Sequence, residues 1–543
     1  MFVPLLVPLI SLLQDKTAVA EPARFGVDEV GIAAEVLGLS FSEKELALML
    51  PDVLERLQEF EKLRAVPLRN EVAPALLFAP DPEQLGRPTP AEHGAVILAS
   101  GPAQRPSDLE SLVFFPISEL EILVHRRLVT CEELVRVFLG RLKRLDKELH
   151  CVVTLTEERA LAQARQLDAE EAAGKHRGPL HGIPWVAKDL LAVKGYPTTW
   201  GTPPYKEQQL DYDAAVVERL DAAGAILIAK VSLGELAWGD VWFGGQTRNP
   251  WKLEQGSSGS SAGSASAVAA GCAAFAIGSE TYGSIVSPST VCGNSSLRPT
   301  FGRVSRHGAM TLCWSLDKLG PVCRSAVDAA VVFQAIRGPD PRDPATGDAP
   351  FYPWGGEVKG WKVGVPKGCF DGNDTRCKSV LEELKKLGVE LVDVELPKYP
   401  VYEMMIVLTA EAGAAFDDFS RSDRDDQMVR QTRDAWPNVF RQAELIPAVD
   451  YIRANRLRTL LIRDLEQTLA GVKAIVHPSF AGSILGMTNL TGHPTFVAPC
   501  GFDEAGLPYS ISFTGKLFGD ADVLALAMAW QGVTDYHQRH PKL

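Results

Sequence analysis

The stretch that decides the fold is residues 256–305, GSSGSSAGSASAVAAGCAAFAIGSETYGSIVSPSTVCGNSSLRPTFGRVS. It opens with a run of glycine and serine, Gly256–Ser266, and a second small-residue cluster, Gly278–Ser284, follows. Between them, Ala265–Ala276 is rich in alanine and is predicted to be a helix. Alone, the first run is typical of a flexible linker. Its place before a helix favours a nest of backbone N–H groups instead, which is a structure that binds anions.

Short apolar strands alternate with helical stretches on both sides of this region. The predicted strands are Trp185–Ala187, Ala225–Ala229 and Ala474–His477, and the predicted helices are Ala214–Ala223 and Val380–Leu387. This alternation indicates an α/β fold with a largely buried sheet. We expect one large domain over residues 111–543, with a mixed sheet covered by helices.

Residues 21–110 are predicted to form an N-terminal extension that is helical at first and irregular over residues 67–110. Ser42 and Glu45 have the spacing of a capping box, which opens an amphipathic run that Pro51 should interrupt or restart. Two further capping boxes are predicted, Ser118 with Glu121 and Thr130 with Glu133.

The amino terminus carries an apolar run, Phe2–Leu13, that is shorter than the roughly 20 residues needed to span a bilayer. It resembles the core of a secretory signal, and Ala18–Ala20 has the small residues of a cleavage site. Residues 1–20 are therefore a candidate signal peptide, which favours export to the periplasm or the medium. The run lacks a basic residue before it, so a cytoplasmic protein with a buried N-terminal segment is the alternative. No membrane span is expected elsewhere.

The chain has 543 residues and a formal net charge of −13, from 55 basic and 68 acidic residues. No basic run occurs, so nucleic acid is not expected as a partner. The nine cysteines are scattered and include no CxxC pair, which excludes a zinc ribbon and a dense disulfide framework. Cys369 and Cys377 flank a short loop and form the one candidate disulfide.

Residues from about 115 to 535 resemble the amidase signature family of serine hydrolases. The motifs that carry the resemblance are residues 256–305, Gly178–Pro184 followed by Lys188-Asp189, Asn249-Pro250-Trp251, Ser315-Leu316-Asp317 with Gly320-Pro321, and Asn489–Gly492. The resemblance implies a catalytic triad of serine, a second serine after a cis peptide bond, and lysine. By position these residues are Ser284 as nucleophile, Ser260 as bridge and Lys188 as base.

A serine hydroxyl needs a neighbouring base to become a strong nucleophile. A lysine serves as that base only when its amine is neutral, and burial lowers its pKa toward that state. We therefore predict that Lys188 is buried and hydrogen-bonded to Ser260. The resemblance also implies an oxyanion hole made by backbone N–H groups of Thr281, Tyr282, Gly283 and Ser284. Three residues, Ser261, Asp189 and Glu280, are expected to support the triad.

Five positions depart from the usual family pattern. Glu280 stands where aspartate is common, and Val286 stands where arginine is common, so an ion pair is expected to be missing there. Tyr282 replaces a glycine in the oxyanion turn and either narrows the substrate entrance or packs structurally. Ser258 and Ala262 each replace a glycine beside Ser260. These departures bear on substrate and rate more than on mechanism.

The favoured function is hydrolysis of a small-molecule carboxylic amide, or of an ester or carbamate, through a seryl acyl-enzyme. This chemistry needs no metal or organic cofactor, and a homodimer is common in the family. One alternative is the glutaminase-type component of a tRNA-dependent amidotransferase, acting with partner subunits. The N-terminal extension and the candidate signal peptide argue against it. A non-catalytic amidase-like scaffold is a second alternative.

Two short motifs point to other serine enzymes. Residues 259–263 fit the G-x-S-x-G nucleophile elbow, for which His477 or His493 would be the base. Ser315–Lys318 fits the S-x-x-K motif of penicillin-binding enzymes. Neither motif has its expected context, since no buried strand precedes the first and no partner motif follows the second.

Overall fold

The computed structural model describes residues 25–67, 76, 104–353 and 357–543. The candidate signal peptide and most of the irregular segment 67–110 lie outside these residues. The chain forms two compact units. The first contains the described residues among 1–77 together with Thr311–Trp314 and Lys398–Ile462, and the second contains Phe78–Met310, Ser315–Pro397 and Arg463–Leu543 as far as they are described.

Sixteen α-helices occur in the described residues. In chain order they are α1 (Val27–Val36), α2 (Glu43–Ala65), α3 (Ile117–His125), α4 (Cys131–Leu149), α5 (Glu157–Ala172), α6 (Ala215–Ala222), α7 (Ala262–Ala269), α8 (Val286–Cys292), α9 (Ala326–Ile336), α10 (Ser379–Lys386), α11 (Ile406–Ala415), α12 (Asp417–Arg421), α13 (Trp436–Ala443), α14 (Ala448–Leu469), α15 (Ile484–Thr491) and α16 (Asp520–Gln531). Helices α1, α2 and α11–α13 belong to the first unit.

The strands all belong to the second unit. They are β1 (Val152–Leu155), β2 (Pro184–Lys188), β3 (Ile226–Val231), β4 (Val241–Trp242), β5 (Gly245–Gln246), β6 (Arg248–Asn249), β7 (Lys252–Gly256), β8 (Phe275–Glu280), β9 (Ser295–Arg298), β10 (Lys318–Cys323), β11 (Lys362–Pro366), β12 (Glu390–Val394), β13 (Ala474–Pro478), β14 (Thr495–Phe502) and β15 (Pro508–Gly515). Eleven of them form one sheet in the order β1-β3-β2-β8-β10-β9-β14-β15-β13-β11-β12.

The large sheet is mixed, which confirms the predicted fold class. Strand β2 pairs in parallel with both β3 and β8, and β11 pairs in parallel with β12 and β13. Strands β9, β10, β14 and β15 pair antiparallel with their neighbours. Strands β2, β3 and β13 are buried at every residue, as expected where helices cover both faces of a sheet.

The alanine-rich helix after the first glycine–serine run is shorter than predicted. The prediction was Ala265–Ala276, whereas α7 covers Ala262–Ala269 and β8 begins at Phe275. Gly271 lies between them with a φ of +71°, a conformation that ends the helix. Both elements are buried, and a continuous apolar run gives no periodicity by which to separate a buried helix from a buried strand.

Two of the three predicted capping boxes are confirmed, Ser42 with Glu45 and Thr130 with Glu133. The third prediction, Ser118 with Glu121, is wrong. Helix α3 begins at Ile117 and its N-cap is Pro116, so Ser118 already lies inside the first turn. The side chain of Glu121 therefore points to other partners.

The predicted break at Pro51 is also wrong, because α2 continues through it from Glu43 to Ala65. A proline inside a helix removes one backbone hydrogen bond and crowds the preceding turn. Here α2 buries Met49, Phe60 and Leu63 within its unit. This tertiary packing offsets the local cost, as it often does for helix propensities.

The candidate disulfide between Cys369 and Cys377 is not formed, since each of the nine cysteines is a reduced thiol. Both side chains are buried separately, and the Cys377 thiol lies 3.8 Å from the Ser510 carbonyl oxygen. In the part of the chain that the structure describes, no helix is both long and apolar enough to cross a membrane.

Candidate active site

The site is built at the carboxyl ends of two neighbouring parallel strands, β2 and β8. Strand β2 ends at Lys188 and strand β8 ends at Glu280. Parallel neighbours end at the same edge of a sheet, and in α/β folds this edge is where ligands usually bind. The bridging-serine loop and the turn that carries Ser284 adjoin this edge.

Lys188 is completely buried. Its Nζ donates to Oγ of Ser260 at 2.7 Å and to Oγ of Ser279 at 2.8 Å, with Oγ of Ser261 at 3.2 Å. Both parts of the prediction for this lysine, its burial and its bond to Ser260, are therefore confirmed. Three hydroxyl groups surround the amine at hydrogen-bond distance.

Burial holds the pKa of Lys188 well below its usual value. The charges of Asp317 and Glu280 act in the opposite direction, but burial is the larger effect. Desolvation penalises the ammonium form of a lysine, and the hydroxyl groups around Nζ carry no compensating charge. The environment consequently favours a neutral amine, which can accept a proton.

The peptide bond between Gly259 and Ser260 is cis, as the resemblance implied. The loop leaves no room for a side chain at Gly259, since a Cβ there would lie 1.9 Å from the carbonyl oxygen of Gly239. Ser258, which precedes it, has a φ of +60°, and its N–H donates to Oδ2 of Asp240 at 3.1 Å. These contacts present the Ser260 hydroxyl to the lysine.

Ser284 lies in the turn between β8 and α8 and is joined to the bridging-serine loop through the backbone. Its carbonyl oxygen accepts a hydrogen bond from the Ser261 N–H at 3.1 Å. Among the described residues, no group hydrogen-bonds the Ser284 hydroxyl. The structure thus places Lys188 and Ser260 in direct contact, and it brings Ser284 to the adjoining turn with its hydroxyl uncommitted.

The turn before α8 presents backbone donors. Gly283 has a φ of +86°, which favours glycine, and its carbonyl oxygen accepts from the Ser287 N–H at 2.7 Å. In the described part of the chain, the N–H groups of Gly283 and Ser284 donate to no other residue. Of the other two predicted donors, Thr281 bonds Asp317 through its hydroxyl at 2.6 Å, and the side chain of Tyr282 is half-buried.

Glu280 ties this turn to the sheet. Its Oε2 accepts from the N–H groups of Ile285 and Val286 at 2.8 and 2.9 Å. Its Oε1 accepts from Arg298 and Asn489, both at 2.8 Å. Burial alone would raise the pKa of this carboxyl, but the Arg298 guanidinium and the backbone donors lower it.

The ion pair expected to be missing is therefore present. Val286 cannot supply it, and Arg298 on β9 does so instead, with both side chains fully buried. Arg298 also donates to the carbonyl oxygen of His493 and to Oγ1 of Thr495, so the guanidinium is held on several sides. The glutamate keeps a charged partner from a different part of the chain.

Asp189 supports the site through a second lysine. Its Oδ1 lies 2.7 Å from Nζ of Lys230, and both side chains are fully buried. Its Oδ2 accepts from the Thr199 N–H at 2.9 Å. Asp189 therefore neutralises Lys230 rather than Lys188.

Three residues at this site were missed by sequence reasoning: Ser279, Lys230 and Arg298. Ser279 lies inside the second glycine–serine cluster, so its composition was a usable signal. Lys230 directly follows the predicted apolar strand Ala225–Ala229 and lies inside β3, where a charge requires a buried partner. Arg298 carried no local signal, because its partner Glu280 is brought to it only by the sheet.

Neither histidine of the elbow interpretation approaches Ser261. The Ser261 hydroxyl bonds Lys188 and the backbone of Ser279, while His477 bonds Thr514 at 3.0 Å. Burial lowers the pKa of His477 to about 4. His493 bonds Glu466 at 2.8 Å. Both histidines are structural.

The buried ion pair gives a first testable prediction. Replacing Arg298→Met leaves the Glu280 carboxylate buried without its charge partner, which should lower the free energy of unfolding by about 3–5 kcal/mol. The matched control is Lys362→Met, because Lys362 and Glu390 form a pair with more than half of each side chain exposed. That change should cost less than about 1 kcal/mol. Denaturant unfolding monitored by circular dichroism measures both, and equal losses would contradict the prediction.

Comparison with known proteins places this geometry in a family. The model of the amidase family matches residues 133–524. One of the subunits of glutamyl-tRNA(Gln) amidotransferase from Moorella thermoacetica is 34% identical over 483 residues, covering 80% of this chain and 99% of that protein. Its counterpart from Geobacillus stearothermophilus is 35% identical over 485 residues, covering 80% and 100%.

A solved structure of an amidase is also similar to this protein. The native peptide amidase from Stenotrophomonas maltophilia superimposes with a TM-score of 0.71 at 28% identity, covering 80% of this chain and 99% of that chain. The family match spans more than half of the chain and contains Lys188, Ser260 and Ser284. The protein therefore belongs to the amidase signature family.

Proposed function

We propose that this protein hydrolyses carboxylic amides through a seryl acyl-enzyme, with Ser284 as nucleophile, Ser260 as bridge and Lys188 as base. The observation that carries the proposal is the contact between the buried Lys188 amine and the Ser260 hydroxyl at 2.7 Å. A buried amine without a paired carboxylate is a costly arrangement, and such groups cluster at catalytic sites.

The first step forms a tetrahedral intermediate. Oγ of Ser284 attacks the carbonyl carbon of the amide, its proton passes to Ser260, and the Ser260 proton passes to the neutral amine of Lys188. Each transfer is a general-base step, which typically contributes about 10²–10⁴-fold to the rate. The developing oxyanion is expected to accept from the uncommitted N–H groups of Gly283 and Ser284, and loss of one such donor typically costs about 10²–10³-fold.

The second step expels the amine. The proton held on Lys188 returns through Ser260 to the leaving nitrogen, the C–N bond breaks, and an ester to Ser284 remains. Water then attacks this ester, and the same two residues take its proton and return one to Ser284. The cycle releases a carboxylic acid and an amine, and it consumes one water.

Supporting residues act on position and charge rather than on the substrate. Glu280 fixes the backbone that follows Ser284, and Asp189 neutralises Lys230, so neither carboxylate sits as counter-ion to Lys188. Similarity to a peptide amidase supports an amide as the bond that is cut. Esters and carbamates would react by the same steps.

A second candidate function is amide transfer. The curated relatives are named as one component of an amidotransferase, and this chain covers nearly their whole length. In that role Ser284 would cleave the side-chain amide of glutamine. The released ammonia would then pass to an acceptor bound with partner subunits.

Labelling of the nucleophile tests the hydrolase proposal. A fluorophosphonate should add once to the wild-type protein, at Ser284, as read by intact mass and peptide mapping. Ser284→Ala should abolish the adduct, and Lys188→Ala should slow its formation by about 10²–10⁴-fold. Ser289→Ala is the matched control, because that buried hydroxyl bonds Ser296 and should leave labelling unchanged. An adduct on Ser261, or no adduct on folded protein, would overturn the assignment.

If Lys188 is the base, the rate of labelling should depend on pH. Since the pKa of Lys188 is well below its usual value, the rate of fluorophosphonate labelling should rise with pH and level off below the ordinary lysine range. Ser279→Asp would place a carboxylate beside Nζ, and an opposite charge favours the ammonium form. The rise should then move to higher pH by about 1–3 units. A rate independent of pH in the wild type would contradict the assignment of the base.

The transfer candidate is separated from hydrolysis by its products. The purified chain is incubated with glutamine and with a panel of simple amides, and ammonia, amine and acid are measured. We expect the isolated chain to hydrolyse amides and to show no preference for glutamine. Activity on glutamine alone, or only after a copurifying partner is added, would favour the transferase.

A further inference from the structure

A cluster of histidine and glutamate lies on α3, α5 and the segment that follows α5. Glu121 and His125 are one helical turn apart on α3, with the i, i+4 spacing that places two side chains on one face. Glu171 is near the end of α5, and His176 follows the helix. The proposed hydrolysis uses none of these residues.

Glu171 orients the two imidazoles. Its Oε1 lies 3.0 Å from Nδ1 of His125, and its Oε2 lies 2.7 Å from Nδ1 of His176. A carboxylate accepts only, so each Nδ1 carries the hydrogen. In a ring that carries no second proton, Nε2 is left with a lone pair that can bind a metal ion.

The lone pair of His176 faces another acceptor. Nε2 of His176 lies 3.2 Å from Oε1 of Glu121. Two acceptors this close require a positive charge between them, which is either a proton on the imidazole or a metal ion. One ring nitrogen of His125, one of His176 and a carboxylate oxygen of Glu121 all lie within 4.8 Å of one another.

One distance in the cluster fits a transition-metal site. Tetrahedral zinc holds nitrogen and oxygen ligands at about 2.0–2.1 Å, which puts neighbouring ligand atoms about 3.3 Å apart. The His176 to Glu121 distance agrees with this value. A carboxylate that accepts the other ring N–H of a metal-binding histidine is the usual second layer of such sites, and Glu171 occupies that position for two histidines.

His181 lies beside the cluster but is committed elsewhere. Its Nδ1 accepts from the Arg177 N–H at 3.2 Å, and its Nε2 donates to the Leu167 carbonyl oxygen at 3.1 Å. The ring is fully buried, and burial lowers its pKa. Both nitrogens have partners, so His181 is not a ligand.

We propose that Glu121, His125 and His176 bind a divalent transition-metal ion of the zinc type, with Glu171 as the residue that orients both histidines. The ion would join the end of α3 to the segment after α5, which leads into β2. Imidazole and carboxylate ligands suit zinc and its neighbours in the first transition row. The proposed role is a structural clip, separate from the Lys188 site.

The experiment uses the full chain after dialysis against a chelator. Zinc binding is measured by equilibrium dialysis with elemental analysis, and cobalt is added separately so that its visible absorption reports the ligands. We expect one equivalent of zinc, with a cobalt spectrum of tetrahedral nitrogen and oxygen ligation and no thiolate band. Ser284→Ala should bind zinc equally well, because the clip does not depend on hydrolysis.

Variants assign the ligands. His125→Asn is the first choice, since 56% of that side chain is exposed and the change should leave the fold intact. It and Glu121→Gln should each weaken zinc binding at least tenfold, and Glu171→Gln should weaken it by about 10–100-fold. The matched controls are His150→Asn and Glu119→Gln, which change a histidine and a glutamate outside the cluster.

Thermal unfolding gives a second measurement of zinc binding. Zinc should raise the unfolding temperature of the wild type, because a ligand that binds only the folded state stabilises it. That rise should disappear in His125→Asn and persist in His150→Asn. Binding that is absent, or equal in His125→Asn, Glu121→Gln and the controls, would overturn the proposal. His176 would then be an imidazolium held between two carboxylates.

Discussion

The constraint on which the site depends is an amine buried without its own carboxylate. Two lysines lie on neighbouring strands with their side chains on opposite faces of the sheet, since β2 and β3 pair with Lys188 opposite Val231 and Ala187 opposite Lys230. Both are buried, but they have different partners. Lys230 faces Asp189 at 2.7 Å, whereas Lys188 faces only serine groups. The fold gives Lys230 an ion-pair partner, whereas burial holds the pKa of Lys188 well below its usual value.

The glycine and serine around Lys188 follow from this constraint. A Cβ atom at Gly278 would lie only 2.8 Å from Oγ of Ser261, so a residue without a side chain is needed where the hydroxyl groups converge. The charges needed for stability are placed one layer away, in the pair between Glu280 and Arg298. Burying an ion pair costs desolvation free energy, which is offset when the charged atoms are well hydrogen-bonded. The Glu280 carboxylate accepts four hydrogen bonds.

Motif spacing predicted the contact between Lys188 and Ser260 because the signals for both residues are local. Lys188 ends a strand, Ser260 precedes a helix, and each has a recognisable sequence on both sides. The errors arose where tertiary contacts decide the outcome. Pro51 lies inside a helix because packing outweighs its local cost. Arg298 takes the place of the arginine that is absent at Val286, and only the pairing of β9 and β14 with their neighbours brings it there.

The histidine and glutamate cluster is a second case in which tertiary contacts, rather than a local motif, decide the partner of a residue. The sequence around Glu121 has the spacing of a helix cap at Ser118. In the structure α3 begins earlier, at Ile117, so Glu121 does not cap the helix and its carboxylate contacts His176 instead. His176 of the cluster precedes β2, which ends at Lys188 and is hydrogen-bonded to strands on both sides. A strand held in this way resists small movements at its start. A metal clip at the cluster would therefore affect how firmly the segment before β2 is anchored, while the lowered pKa of Lys188 is set by its own burial.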